Sequence, residues 1–146
     1  SDTGMPSNRD EQFYNIADPP DTDPNAIEAP YIIQHDGYYY LFVSWGCCCH
    51  GPDGGSDCNI RVGRSESVTG PYVDQSGTAM TDGGGTLVME SFGKWQGTGH
   101  NSVLQADGET MLVYHAYNAN QSNAPYLRIS PIEWEDGWPM VPMTEQ

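Results

Sequence analysis

Glu28 and His100 are the two side chains whose surroundings could do chemistry. Glu28 sits in NAIEAPYII, with Ala26, Ile27, Ala29 and Pro30 around it. Apolar neighbours take a carboxyl out of water, which disfavours its charged form and keeps it protonated near neutrality. A general acid needs that property. His100 sits in GTGHNSV, after small residues that allow close backbone approach. A histidine there can bind a metal ion, orient a substrate or serve as a hydrogen-bonded structural residue. His115, at the end of VYHAYN, is a second candidate polar group of a cavity. Trp45 ends an apolar run beside a long loop, where its ring could stack on a sugar. His35 reads as a turn residue. The cysteines Cys47, Cys48, Cys49 and Cys58 surround HGPDGGSD. Adjacent cysteines chelate poorly and the usual two-residue gaps are absent, so local disulfides are favoured over a zinc site that would add His50. A bridge from Cys58 back to the triplet would pin the loop, and a vicinal bridge within the triplet is the alternative.

Strand signals dominate the elements that must carry these groups. The 146 residues include 17 Gly, 11 Pro and 9 Tyr, which favours β structure with many turns. No amphipathic helical pattern is present. Residues 1 to 24 read as loop or linker, with one short strand over Gln12 to Ile16. Strands are expected at Tyr31 to Gln34, Tyr38 to Trp45, Asn59 to Arg64, Thr86 to Glu90, Asn101 to Gln105, Glu109 to Tyr117 and Tyr126 to Ile132. Turns fall at Asp36-Gly37, near Gly70 and Pro71, and at Asp107-Gly108.

These signals repeat. YIIQHDGYYYLFVSW is echoed by SVLQADGETMLVYHAY, and NIRVGRSESVTGPYV by YLRISPIEWEDGWPMV. Arg61 and Arg128 correspond, as do the turns at Thr69-Gly70 and Asp136-Gly137. Each repeat of about four strands suits one propeller blade. Glu28 lies eight residues before Asp36, and His100 seven before Asp107. Both would start the channel-lining strand of successive blades and converge near the axis. Two blades cannot close a ring of about four to eight. The chain is therefore expected to pair with a companion chain or to be part of a longer protein, because bare blade faces would leave apolar surface in water.

Twenty acidic residues stand against five Lys and Arg, a formal charge of −15. Nucleic acid needs phosphate-neutralising cations, so that partner is excluded, and anionic membranes would be repelled. Acidity of this degree suits a secreted protein acting on neutral polymers, and equally a high-salt habitat. No apolar run is long enough for a membrane span, and no leader is visible at Ser1. No phosphate cradle is expected at Gly83 to Gly85, which no helix signal follows.

With AIEAPYII, GYYYLFVSW, CC, IRVGRSESVTGPYVD, GGGTLV, GTGHNSV, MLVYHAY and LRISPIEWEDGWPMV in this order, the chain resembles glycoside hydrolase family 43 from about Asn25 to Val141, and within it the endo-α-1,5-L-arabinanases. The resemblance implies an all-β chain forming part of a five-bladed β-propeller. It would supply the two C-terminal blades of four-stranded antiparallel sheet, at about 25–95 and 96–146. It implies hydrolysis of α-1,5-linked arabinan with inversion, Glu28 as general acid, and His100 at a cavity where a calcium ion (Ca2+) is commonly held. Arg128 would help position substrate or Glu28. The family's general base and a third carboxylate lie on early blades. Asp2, Asp10, Asp18, Asp21 and Asp23 precede Glu28 without that motif, so the base is expected on N-terminal blades outside this chain, which alone would be inactive. A non-catalytic sugar-binding β module, which would keep Trp45 but not depend on Glu28, is the alternative. Exo-acting arabinofuranosidase or β-xylosidase action is a third reading.

Overall fold

The structure, a computed structural model, describes residues 13–19, 21, 25–49 and 55–144. The expectation of a strand at Gln12 to Ile16 is not met. Phe13 to Ile16 have no strand pairing, and Gln12 lies outside the described residues. This segment instead lies against the first sheet, where Asp18 N–H donates to Met80 O at 3.0 Å and Ile16 and Ala17 pack beside Leu41 and Val43.

Nine strands follow among the described residues. The first sheet runs β1 (Ile27–His35), β2 (Tyr38–Trp45), β3 (Asn59–Ser65) and β4 (Thr86–Met89), antiparallel and in chain order. The second is β5 (Trp95–Ala106), β6 (Glu109–Asn118) and β7 (Ala124–Pro131), again in chain order. The last two, β8 (Glu133–Glu135) and β9 (Trp138–Met140), form a separate hairpin. Thus the first sheet has the four strands expected of a blade, and the second has three strands followed by the hairpin. The helical turns among the described residues are 3-10 turns at Met80–Asp82 and Ala119–Gln121. None of the described residues form a helix long and apolar enough to cross a membrane.

Three Asp-Gly pairs make the tight hairpins. Asp36 and Gly37, Asp107 and Gly108, and Asp136 and Gly137 all have positive φ. Both central residues of a type I′ turn require that, and its twist matches the flanking strands.

Cross-strand partners project to the same side of a sheet, and successive residues alternate. Tyr40, Phe42 and Ser44 on β2 therefore face one way, with Ile60 and Val62 of β3. Against them pack Val103 of β5 and Leu112, Tyr114 and Ala116 of β6, all buried in one cluster. Leu41, Val43 and Trp45 face the other way, towards Tyr72 and Met80.

The C-terminal hairpin returns to the first sheet. Its Gly137 carbonyl accepts from Tyr40 Oη at 2.6 Å and from Arg64 Nη1 at 3.0 Å. The Arg64 guanidinium lies over the rings of Tyr38 and Trp138 at 4.6 and 4.5 Å. Trp134 stacks on His35 with ring centres 3.7 Å apart.

Candidate active site

Glu28 projects from β1 at a break in the sheet. It pairs with Ser44, and the register then slips so that the next pair is Tyr31 with Phe42. Pro30 cannot donate to a ladder, which confines it to bulges and edges. Ala29 takes φ 50°, a left-handed conformation unusual for a residue with a Cβ. The second sheet breaks at the equivalent place. The β5–β6 register slips on both sides of Gly99, and His100 takes φ 48°. The slip between Gly99 and Ser102 is the counterpart of the one between Glu28 and Tyr31, and β-bulges re-aim side chains. The two bulges bring His100 Nδ1 to 3.2 Å from Glu28 Oε1. The 72-residue separation of the two groups is closed by the repeat, as the spacing had suggested.

His115 joins them. It pairs with Gly99 and packs edge-on against Tyr117 at 5.2 Å. Burial, and next the neighbouring His100, hold its pKa below the ordinary 6.5, with Glu28 opposing. Its Nε2 is buried without a hydrogen-bond partner. Tyr117 Oη donates to the Cys48 carbonyl at 3.0 Å, tying the cysteine loop to the same wall.

The loop bridge is Cys48–Cys58, whereas Cys47 and Cys49 are exposed free thiols. It is the bridge from Cys58 back to the triplet; His50, the further ligand of the zinc alternative, lies outside the described residues. The two sulfurs lie close to the Glu28 carboxylate, but bridged sulfurs are not thiolates and do not ligate metal. The bridge presses on β5 as well: a Cβ at Gly99 would collide with Cys58 Sγ. Glycine is required there for close approach.

The expected desolvation of Glu28 is not delivered by its sequence neighbours. Ala26 and Pro30 are themselves exposed, and the Glu28 side chain is 42% exposed. The peptide flanking an acid in sequence does not cover it when a bulge turns the side chain outward.

Trp45 and Arg128 are not brought to Glu28. Trp45 pairs with Ile27 and lies on the opposite side of the first sheet from Ser44, with Arg61 4.8 Å over its ring. Arg128 lies over the Trp95 ring at 4.1 Å. The two arginines do correspond between repeats, each as a stacking partner of a tryptophan.

Sequence reading missed two polar residues beneath Glu28. Ser44 is fully buried and Asn101 is 4% exposed. Ser44 Oγ donates to Asn101 Oδ1 at 2.8 Å, and Asn101 Nδ2 donates to the Ala29 carbonyl at 3.3 Å. The available signal was a pair of polar residues on strand faces that are otherwise apolar.

Calcium is held by about six to eight oxygen ligands. His100 offers a nitrogen, and the Glu28 carboxylate stands 3.2 Å from it. These two side chains by themselves supply too few oxygens for a calcium cage.

Residues 3–139 match the family described as glycosyl hydrolases family 43. An extracellular exo-α-(1→5)-L-arabinofuranosidase of Cellvibrio japonicus is 47% identical over 116 residues, covering 79% of this chain and 33% of the relative. An extracellular endo-α-(1→5)-L-arabinanase of Bacillus subtilis is 42% identical over 127 residues, covering 87% and 38%. A solved α-L-arabinanase of Cellvibrio cellulosa, in complex with arabinohexaose, superposes with a TM-score of 0.75 at 46% identity, covering 80% of this chain and 36% of that one. The chain thus spans between a third and two-fifths of the length of these curated relatives.

Proposed function

The chain belongs to glycosyl hydrolase family 43, and from that membership we propose that it is the acid-bearing part of a secreted enzyme that hydrolyses α-1,5-linked arabinan. The observation that carries this reading is the meeting of Glu28 and His100 at matched bulges of two successive sheets. Arabinan-acting relatives that are 47% and 42% identical support the substrate class. Their description as extracellular, together with the Cys48–Cys58 bridge, supports secretion.

In this reading Glu28 gives its proton to the glycosidic oxygen as the bond to the anomeric carbon breaks. A water adds to the opposite face of that carbon, its proton passes to a carboxylate base, and configuration inverts. Such a base stands about 6.5–9.5 Å from the acid. We place it on the part of the protein that precedes this chain, with the two blades here at about 25–95 and 96–146. His100 Nδ1 holds the Glu28 carboxyl in place. His115, kept neutral by burial, lines the same wall without adding a competing cation. Alone, the chain is then inactive, because protonation without an activated water forfeits most of the acceleration. The non-catalytic sugar-binding reading loses its main support, since the Trp45 face offered for stacking carries Arg61.

Glu28→Gln in the complete protein containing this chain tests the reading. Loss of arabinan turnover by about 10²–10⁴-fold is expected, with oligosaccharide binding retained. Unchanged turnover would remove Glu28 from the chemistry.

A further inference from the structure

A general acid must be aimed, and the segment that aims Glu28 is conformationally unfavourable. Ala29 holds φ 50° and His100 φ 48°, and neither is glycine. Such residues persist where surrounding structure over-determines them. The group that spans the two bulges is Asn101. Its side-chain N–H donates to the carbonyl of Ala29, the left-handed residue itself. Its backbone follows His100, the other left-handed residue. Ala29 and His100 stand 71 residues apart, the same offset as Asp36 and Asp107, so they hold equivalent positions of the two bulges and Asn101 reaches from one bulge to the other.

The Ala29 carbonyl settles which way the amide points, because it can only accept and so must face the amide nitrogen. The amide oxygen is then left to accept from the buried Ser44 hydroxyl. Flipping the amide would set its oxygen against a carbonyl. Ser44 is also the cross-strand partner of Glu28. Both residues are buried with their bonds made, and such bonds resist exchange with water.

We propose that Asn101, held by Ser44, is a positioning residue that fixes the Ala29 bulge and so aims the Glu28 carboxyl at the leaving oxygen. This rests on Glu28 being the general acid. Neither residue touches substrate; both act through the backbone beside Glu28.

Leaving-group dependence separates aiming from general structural support. A dinitrophenolate leaves without protonation, whereas an alkyl or methylphenyl group needs the acid. In the complete protein, aryl arabino-oligosaccharides of both kinds would be compared for wild type, Glu28→Gln, Asn101→Ala, the near-isosteric Asn101→Asp and Ser44→Ala. Asn101→Ala and Asn101→Asp should slow the poor leaving group by about tenfold to a hundredfold, the cost of misplacing a reacting group, and spare the dinitrophenyl substrate. Ser44→Ala, which deletes only a hydroxyl, should shift the same ratio in the same direction by less. Equal slowing of both substrates by the Asn101 and Ser44 variants would overturn the proposal in favour of a merely structural role, as would no slowing of either. If Glu28→Gln itself fails to discriminate between the leaving groups, the acid assignment falls, and the positioning role with it. If Glu28→Gln discriminates and the Asn101 variants do not, only the positioning role falls.

Discussion

Burial sets His115 against its own protonation. Its folded pKa lies below 6.5, first because the ring is desolvated and then because His100 is near. Folding therefore favours the neutral ring. The stability this contributes is complete above pH 6.5 and is lost as pH falls below 6.5 through the folded value. His115→Gln cannot charge, so its urea midpoint should fall less steeply between pH 7.5 and pH 5 than that of the wild type. Identical slopes would show that another group carries the acid sensitivity. The convergence of Glu28, His100 and His115 was legible in the sequence to different degrees. The repeat placed Glu28 and His100 on equivalent strands, which is enough to bring them together. His115 followed from the end of an apolar strand. Ser44 and Asn101 were not legible, because a buried polar residue is recognised by its partner, and their partnership spans 57 residues. The shielding of Glu28 was misjudged for a related reason. Covering a side chain is a property of the sheet beside it, while sequence neighbours report only the strand it sits on.

Long apolar strands bounded by Asp-Gly turns were readable, since both their period and their ends are local signals. Tyr38 to Trp45 was expected at its observed limits. Irregular strands were not. β1 begins at Ile27 and β5 at Trp95, ahead of the expected Tyr31 and Asn101, because a bulge interrupts the pattern and looks like a strand end. Tyr126 to Ile132 was expected as one strand; Pro131 closes β7, and three-residue strands follow that have too few positions to show a period. Arg64 helps to hold this last hairpin. Its guanidinium is sandwiched between Tyr38 and Trp138 while donating to Gly137 O. Arg64→Ala should cost about 2 kcal/mol, summing a cation–π contact and a charge-assisted hydrogen bond. Tyr40 Oη keeps its bond to Gly137 and limits the loss. Arg64→Lys should recover only part of it, because an ammonium cannot stack as a planar group. Urea denaturation followed by tryptophan fluorescence reads the effect. A loss within experimental error of zero for Arg64→Ala would mean that the Tyr40 bond and the apolar contacts hold the hairpin without Arg64.

At the scale of the molecule, the two sheets differ in how their outer sides are covered. Tyr72, Met80 and the segment at Ile16 and Ala17 lie over the outer side of the first. On the second, Leu104, Leu127 and Ile129 are 52%, 74% and 55% exposed. Cross-strand pairing places Leu127 beside His115 and Ile129 beside Val113, so they belong to one continuous side. A patch of this kind on a sheet marks a surface meant to be covered. In the proposed enzyme the preceding blades lie there, which would also bring a base into the cavity beside Glu28. Produced alone, the chain should bind a hydrophobic dye and self-associate as concentration rises, despite a formal charge of −15 that opposes association. Leu127→Lys with Ile129→Lys should suppress both behaviours in the isolated chain, because the patch is then interrupted by charge. The same pair in the complete protein should destabilise it by several kcal/mol, because two charges would be buried against an apolar neighbour. Opposite signs in the two settings are the signature of a covered face, since an ordinary solvent-facing sheet would tolerate lysine in both. If the isolated chain stays monomeric without binding dye, and the double variant is neutral in the complete protein, nothing packs on this side and the placement of the preceding blades must be abandoned.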